Sequence, residues 1–518
     1  MRPPDLLVPG LALALAAGLF SHACGRAPSR ELEGLGVDSG ASPLPSASPQ
    51  EPAPKQRGNV SFSVRDPSGQ SIPCKLTLLG RDGTPNPDLG MGLPTAAIDG
   101  GMVAYHRVFS LSGSGAFVLP KGSYDVYVSR GLEWSLHVEE LRVGEDPISI
   151  TPTLTKVVVR EGWLSADMHV HAAPSWDSSV PMPARVYEFA AEGVDVLVST
   201  DHNIVTDYRP EIERAGARDL LGTVAGSEIS TTDWGHFGAF PMRDENDWWV
   251  LHGVRMNGMR PDELLGALRR HGPSALVTVN HPRLGKMGYF SVGGFDPRSG
   301  RFTKNRVSFE FDAIEVMNGA KHGSAQAVER VLADWFGLLR SGRRVTAVGN
   351  SDTHEIQTSY AGYPRNYVRL DDPVPAVDGD RMAAAFREGH SFFSSGPFVE
   401  ARVADKSYGE LVRARDGRVN LELKLWAPDW VSVSRLRIYV NGEVKRDLAV
   451  PAGTGPVRFS DTVAVEAPTD AFVVVRVDGD RALPPIVGGP GDEPLTPIAI
   501  TNPIYVDADG DGKYRAGR

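Results

Sequence analysis

The sequence predicts an α/β middle region flanked by two β-sandwiches. Three observations carry this expectation. Between about 159 and 398, short apolar strand-like runs alternate with amphipathic helical stretches. From 58 to 158 and again from 399 to 518, apolar residues alternate with polar ones, and Gly, Pro and Asp punctuate the runs. A chain of 518 residues also exceeds what one compact core usually holds.

In chain order, residues 1–24 (MRPPDLLVPGLALALAAGLFSHAC) carry an apolar stretch over 6–20. It is short for a membrane span and has the length of a signal-peptide core. FSHAC resembles a bacterial lipobox, so the chain is expected to be exported. It would then be either lipid-anchored at the cell envelope through Cys24 or released by ordinary cleavage. Residues 25–57 are rich in Pro, Ser and Ala; such a composition buries no core and reads as a flexible tether. Over 58–158 the runs NVSFSV, CKLTLLG, GAFVLP and YDVYVSRG predict the first sandwich. Their order resembles the small carboxypeptidase-regulatory-like or carbohydrate-binding sandwiches of exported enzymes, which implies glycan contact by the flanking domains.

Over 159–398 the expected strands include VDVLVST (194–200), TVAGSEIS (223–230), SALVTVN (274–280), DAIEVMNG (312–319) and RRVTAVGNSD (343–352). Helices are expected over 260–272, where Pro261 and early acids start RPDELLGALRRHG and Gly272 stops it, and over 324–342 and 381–389. Repeated strand–helix units predict a parallel sheet, open or closed into a barrel. VNLELKLWAP, SRLRIYVNGE and AFVVVRVDGD predict the second sandwich over 399–518.

The bulk numbers exclude several functions. A net charge of −10 offers no basic footprint for nucleic acid. Two cysteines, Cys24 and Cys74, make neither a disulfide framework nor a Cys-based zinc site. A metal site would have to be built from His, Asp and Glu.

Such residues recur where the middle strands end. SADMHVH supplies His169 and His171, with Asp177 six residues on; VLVSTDHN supplies Asp201 and His202; AGSEIS supplies Glu228; WGHFGAF supplies His236; LVTVNHPR supplies His281; and AVGNSDTH supplies Asp352 and His354. In parallel βα architectures the C-terminal strand ends gather on one face, where active sites form. Imidazole and carboxylate donors suit Zn, Mn or Fe(II). So many donors exceed one open site and favour two or three divalent ions sharing a bridging carboxylate, with Glu228 the choice for the bridge. Such ions lower the pKa of a bridging water toward about 7, giving a hydroxide nucleophile. Taken singly, each motif also has a plain structural reading: a surface His pair, a helix cap or a pre-proline loop.

DMHVH, STDHN, GSEIS…GHFGAF, NHPR, EVMNG and GNSDTH, in that order, resemble the PHP (polymerase and histidinol phosphatase) metallohydrolase domain over roughly 161–400. NSDTH followed by GHSFFSSGPFV resembles its carbaryl-hydrolase-type (CehA/McbA) branch. The resemblance implies a distorted (β/α)7 barrel. It makes His169, His171, Asp177, His202, Glu228, His236, His281, Asp352 and His354 the metal ligands, with Asp201 orienting His202. Asp177 stands in APSWDSS where the family usually shows SDG, so the number of ions stays at two or three.

Glu228, His354 and His322 are the catalytic candidates, His322 as a general acid. Arg283, Lys286 and Lys321 could hold an anionic group of the substrate. Glu315 would either hydrogen-bond a ligand histidine or fix its strand end. Aromatics in the loops 241–260 and 283–311 hint at an apolar or aryl substrate. Asp507, Asp509 and Asp511 have the spacing of a calcium loop but lack its closing Glu; a solvated acidic turn is the other reading. The expected function is an exported hydrolase of a small-molecule phosphoester, ester or carbamate. The alternative is a cell-envelope glycan-binding protein with an idle barrel.

Overall fold

The computed structural model describes residues 57–516 except 96–97, 99, 243–257, 320–323, 358–359, 454 and 489–493. Residues 1–24 with Cys24, the Pro/Ser-rich stretch, Lys321, His322 and the aromatics Trp248 and Trp249 lie outside the described residues. Among the described residues no helix is long and apolar enough to cross a membrane.

The N-terminal segment folds as two sheets around one core. Strands Met91–Thr95, Gly101–Ala104, Arg107–Ser110, Cys74–Arg81, Gly122–Ser129 and His137–Val143 form a six-stranded antiparallel sheet in that spatial order. Ser114–Pro120, Arg57–Ser63 and Ile148–Ile150 form the facing sheet. Arg57–Ser63 alternates exposed and buried residues because successive side chains leave opposite faces of a strand. Its inward Val60 and Phe62 meet Leu76, Leu78 and Val126 from the larger sheet. Cys74 is buried there, and burial pushes its thiol up to about 12, so it is unreactive at neutral pH.

In the middle segment, Trp163–Asp167, Val196–Val198 and Gly222–Val224 run parallel. A second sheet places Ser227–Ser230, His236–Phe240, Leu276–Val279, Ala313–Asn318 and Thr346–Asn350 in order. The last three are parallel, but His236–Phe240 is antiparallel to both its neighbours. This departs from the purely parallel expectation for a simple reason. Only residues 231–235 separate Ser230 from His236, too few for a crossover, so a hairpin forms. The expected run 223–230 also breaks in two around Gly226. A Cβ there would stand 2.7 Å from the Ala239 carbonyl oxygen and 2.9 Å from that of Ser199, a closeness only glycine permits.

The helices follow their end signals. Pro261–His271 begins after Arg260, whose N–H is accepted by Glu263 at 3.1 Å, and stops at Gly272. Ala325–Arg340 is capped by Ser324, and its Val328, Leu332, Trp335 and Leu339 face the core. Gly379–Arg387 starts two residues before the expected 381, because Asp378 accepts from the N–H groups of Asp380 and Arg381.

The C-terminal segment shares a sheet with the middle one. Ser391–Ser394 pairs with Ile498–Thr501, which continues through Ala471–Asp478 and Arg435–Val440 to Glu443–Ala449. Phe398–Arg402, Arg418–Trp426 and Val457–Glu466 make a separate three-stranded sheet. Trp163 packs edge-on against Phe392 and Phe398 at 5.7 and 5.9 Å, so no break in the core marks residue 399.

Candidate metal centre

Two isolated bridges tie the ligand-bearing strand ends together: Val170 to Thr353, and His202 to Glu228. Beyond Trp163–Asp167 the chain stays extended, so His169 and His171 leave on the same side of the backbone. The ends of the other strands deliver His202, Glu228, His281 and Asp352 toward the same point.

Glu228 is the hub. Its Oε1 lies 3.1 Å from His169 Nε2, 3.2 Å from His281 Nε2 and 3.3 Å from His236 Nδ1. Its Oε2 lies 2.9 Å from His202 Nδ1 and 3.5 Å from His171 Nε2. Asp352 Oδ1 stands 3.1 Å from His169 Nε2 and 3.2 Å from His171 Nε2. Asp177 Oδ2 closes the outer side, 3.0 Å from His202 Nε2 and 3.2 Å from His354 Nε2. Four overlapping groups therefore bring three or four ligand atoms within 4.8 Å of one another. They are His171, Asp177, His202 and His354; His169, His171 and Asp352; His169, Glu228 and His281; and His202, Glu228 and His236.

The donor set fits divalent cations. His171 Nε2, His236 Nδ1 and Asp352 Oδ1 are buried and make no hydrogen bond of acceptable geometry, although each faces the cluster. Buried polar atoms are normally satisfied, so lone pairs converging this way suit a shared cation.

The supporting shell fixes ring orientations. Glu315 Oε1 accepts from His169 Nδ1 at 2.7 Å, which turns Nε2 inward. Glu315 is itself held by Asn350 and Asn318 at 2.7 and 2.8 Å and by the His281 N–H at 2.8 Å. It thus serves both a ligand ring and its strand end. Ser175 Oγ lies 3.0 Å from His171 Nδ1 and accepts from the His202 N–H at 3.1 Å. Asp201, expected to orient His202, instead accepts from Ser175 Oγ, the Ala172 N–H and Thr206 Oγ1. It reaches the His171 ring through Ser175. Arg185, fully buried, donates to the carbonyls of His171 and Thr353 and so joins the two flanking ligand loops. Asp352 and His281 have φ of +51° and +27°, a strain of about 1–3 kcal/mol each that these bonds sustain.

The electrostatics follow from crowding charges out of water. Burial alone would lower His169, but Asp352, Glu315 and Glu228 outweigh it and hold the imidazole well above its usual range. Burial would raise Glu228 and Asp352; the surrounding histidines instead hold both well below theirs. His171 falls to about 3, with burial the main cause. Burial pushes Asp167 up to about 6, although the Ser351, Gly362 and His169 N–H groups support its charge.

The cluster opens into a cavity of about 180 Å³, lined also by Leu284, Met287, Asn318, Glu355 and Tyr360. Trp176, 67 % exposed, stacks on the His202 ring at 4.1 Å beside it.

Other sequence candidates fall elsewhere. Arg283 does not reach the cavity as a free cation: its guanidinium forks onto Asp334 at 2.5 and 2.6 Å and onto the carbonyls of Phe290 and Phe295, a structural pairing. Lys286 is exposed, while its neighbours Leu284 and Met287 line the cavity. Tyr289, Phe290 and Phe295, expected to shape a pocket, pack with Phe302 and Phe311 in the core instead. In the C-terminal loop, Asp507 and Asp509 group with Asp470 rather than with Asp511, which pairs with Arg515. Both Asp507 oxygens are occupied by the Gly510 and Gly512 N–H groups.

Sequence reasoning missed Asn280, Asn318, Asn350, Ser175 and Arg185. Asn280 Nδ2 donates to Glu228 Oε1 at 2.9 Å. The three asparagines stand at strand ends in VNHPR, EVMNG and AVGNSD, and that placement was the signal available.

No protein-family model matches the chain, and no curated protein matches it. Among solved structures, one from Bifidobacterium adolescentis, whose name proposes a metal-dependent phosphoesterase, is 15% identical over 36% of this chain and 87% of its own, with a TM-score of 0.23. The apo β-glucuronidase 3 of Bacteroides uniformis is 8% identical over 84% of this chain and 60% of its own, with a TM-score of 0.17. Likenesses at these scores support neither a fold nor an activity.

Proposed function

We propose that this chain is a metal-dependent hydrolase of the PHP kind, built on a distorted (β/α)7 barrel, that cleaves a phosphoester, ester or carbamate bond of a small molecule. One observation carries the reading: a buried carboxylate, Glu228, lies within 3.5 Å of five imidazoles at the foot of an open cavity. The ordered motifs and the two bridges at the ligand end support the barrel. Zn, Mn or Fe(II) bound there would supply a coordinated water of lowered pKa and polarise a substrate oxygen.

The chain's own groups do the placing. Glu315 keeps the His169 proton on Nδ1, leaving Nε2 for the cluster. The Asp352 carbonyl accepts from His354 Nδ1 at 2.9 Å, so His354 turns Nε2 toward Asp177 at the mouth. These two are the most exposed members, at 25% and 39% of their side chains, and they face an entering substrate first. Leu284, Met287 and Tyr360 give the entrance an apolar wall. Export and anchoring through Cys24 belong to the same proposal and rest on residues 1–24, as the carbaryl-hydrolase-type branch rests on residues 350–399.

Elemental analysis of purified protein at known concentration, with panels of aryl phosphates, esters and carbamates, tests the reading. Two or three divalent ions per chain and metal-dependent turnover are expected, both lost in His171→Ala and Glu228→Ala. Protein that binds no divalent ion, or full activity in those variants, would refute it.

A further inference from the structure

We propose that the N-terminal β-sandwich is part of the metal-ligand scaffold, with Arg107 the positioning residue that holds the His354 wall of the cavity from behind. The inference rests on the reading of the cavity as a metal site.

Arg107 begins the strand Arg107–Ser110 and is fully buried. Its Nη1 donates to the carbonyl oxygens of Ile356, at 3.4 Å, and Gln357, and its Nη2 to that of Gly488. The Ile356 side chain packs among Met102, Ala104 and Phe109 of the same sandwich sheet. The edge strand adds Gly92, at φ +79°, where a Cβ would come within 3.1 Å of Ile356 Cδ1. The backbone just past His354 is therefore fixed by the sandwich through both a polar fork and an apolar socket. On its other face the same stretch presents His354 and Glu355 to the cavity.

The ligand side of this wall is held separately. Ser178 Oγ donates to the His354 carbonyl at 2.8 Å, and Arg185 Nη2 to that of Thr353 at 3.1 Å. A second buried cation reinforces the seam. Lys75 Nζ donates to the Glu192 carboxylate and to the Ile486 carbonyl, and Glu192 accepts from Tyr363 Oη at 2.9 Å. Apolar side chains would glue two surfaces together as well or better, because a buried charge must recover its lost hydration. What the guanidinium adds is direction. Its planar fork fixes where carbonyl oxygens sit, and so fixes the backbone that carries His354.

The test is cobalt(II) titration of the full-length chain, followed by visible absorption and by the rate at which a chelator withdraws the ions. The variants are Arg107→Met, Arg107→Lys and Ile356→Ala, and Leu119→Ala in the sandwich's own core is the stability control. Folded Arg107→Met should bind one cobalt equivalent about ten-fold more weakly, or release it about ten-fold faster, with the other equivalents unchanged. Arg107→Lys should recover part of the loss, and Leu119→Ala should bind as wild type even where its melting temperature falls. If Arg107→Met does not fold, Ile356→Ala decides, because it loosens the same wall without orphaning a polar group. Wild-type titrations and release rates in a folded Arg107→Met, or in Ile356→Ala if Arg107→Met fails to fold, would overturn the inference. A wild-type chain that takes up no cobalt would instead sink the metal reading beneath it.

Discussion

Replacing Glu315 by Gln tests how the candidate centre is held. The glutamate accepts four hydrogen bonds with no exposed surface of its own: His169 Nδ1 and Asn350 Nδ2 on Oε1, and the His281 N–H and Asn318 Nδ2 on Oε2, all at 2.7–2.8 Å. Glutamine keeps the shape but turns one oxygen into an NH₂ group. In either amide orientation two of the four donors then face a donor. Charge-assisted bonds contribute about 1.5–3 kcal/mol each, so losing two should destabilise the chain by about 3–6 kcal/mol. The His169 ring also loses the acceptor that fixes its tautomer, and outer-shell losses of this kind weaken metal binding by roughly 10- to 100-fold. Urea unfolding measures the first effect and zinc competition against a chromophoric chelator the second. A Glu315→Gln chain with the wild-type midpoint and zinc affinity would refute Glu315 as the group that orients the ligands.

Gly226→Ala drives a methyl against the Ala239 and Ser199 carbonyls; it should cost about 1–3 kcal/mol and, by moving Glu228, reduce bound metal per chain, both read from melting and elemental analysis. Arg283→Ala leaves Asp334, 1% exposed, as an unpaired buried charge, so a loss of about 3–5 kcal/mol is expected with KM unchanged; a selective rise in KM for anionic substrates would instead place Arg283 in substrate binding. In chelator-treated protein, His169 is raised above its unfolded value of 6.5, so its stabilising contribution is complete below 6.5 and is lost as pH climbs through the folded value. Glu228 and Asp352 are depressed below 4.5 and 3.8, so theirs is present above those values and is lost as pH falls through the folded ones. The melting temperature should therefore peak between these limits, and one that rises steadily above pH 6.5 would contradict the assignment of charge.

What the sequence made legible was set by how local each signal is. The helix at 261–271 could be bounded because Pro261, Glu263 and Gly272 act within one turn of it. The ligands could be proposed because they close apolar runs, and the runs are local too. Arg283 misled for the opposite reason. Beside His281 an arginine reads as an anion clamp, and nothing in the adjacent residues announces that Asp334 waits on the helix Ala325–Arg340. The antiparallel His236–Phe240 strand was hidden because its apolar run is the same whichever way it points, and only the short 231–235 connection carries the information. Arg107 and Lys75 carry no local signal of their role; the face they occupy is covered by Ile356, Glu192 and Ile486, residues 117 to 411 positions away for Lys75 alone. The asparagines around Glu315 left only a faint trace, since an asparagine at a strand end serves a turn as readily as a carboxylate.

The direction of the titration shifts bears on why these residues are gathered at all. Three buried carboxylates, Glu228, Glu315 and Asp352, converge on His169, and their field outweighs a desolvation that by itself would strip the ring of its proton. A field strong enough to keep a proton on a buried imidazole is the field a divalent cation meets at the same atoms, with twice the charge and with lone pairs already aimed by Glu315, Ser175 and Ser230. Proton and metal therefore compete at His169, and also at His202, raised by Glu228 and Asp177, and at His281, raised by Glu228 and Asp352, so uptake of metal expels protons from whichever of these rings carry them. A purely structural cluster has no reason to behave so, because swapping its imidazoles for apolar side chains would remove the desolvation cost along with the charge. Proton release on zinc addition in weakly buffered solution, at about one or more per chain and falling as pH rises, is the signature that separates a built cation site from a crowded core. A titration that loads zinc without releasing protons would mean that His169, His202 and His281 are not the groups receiving it.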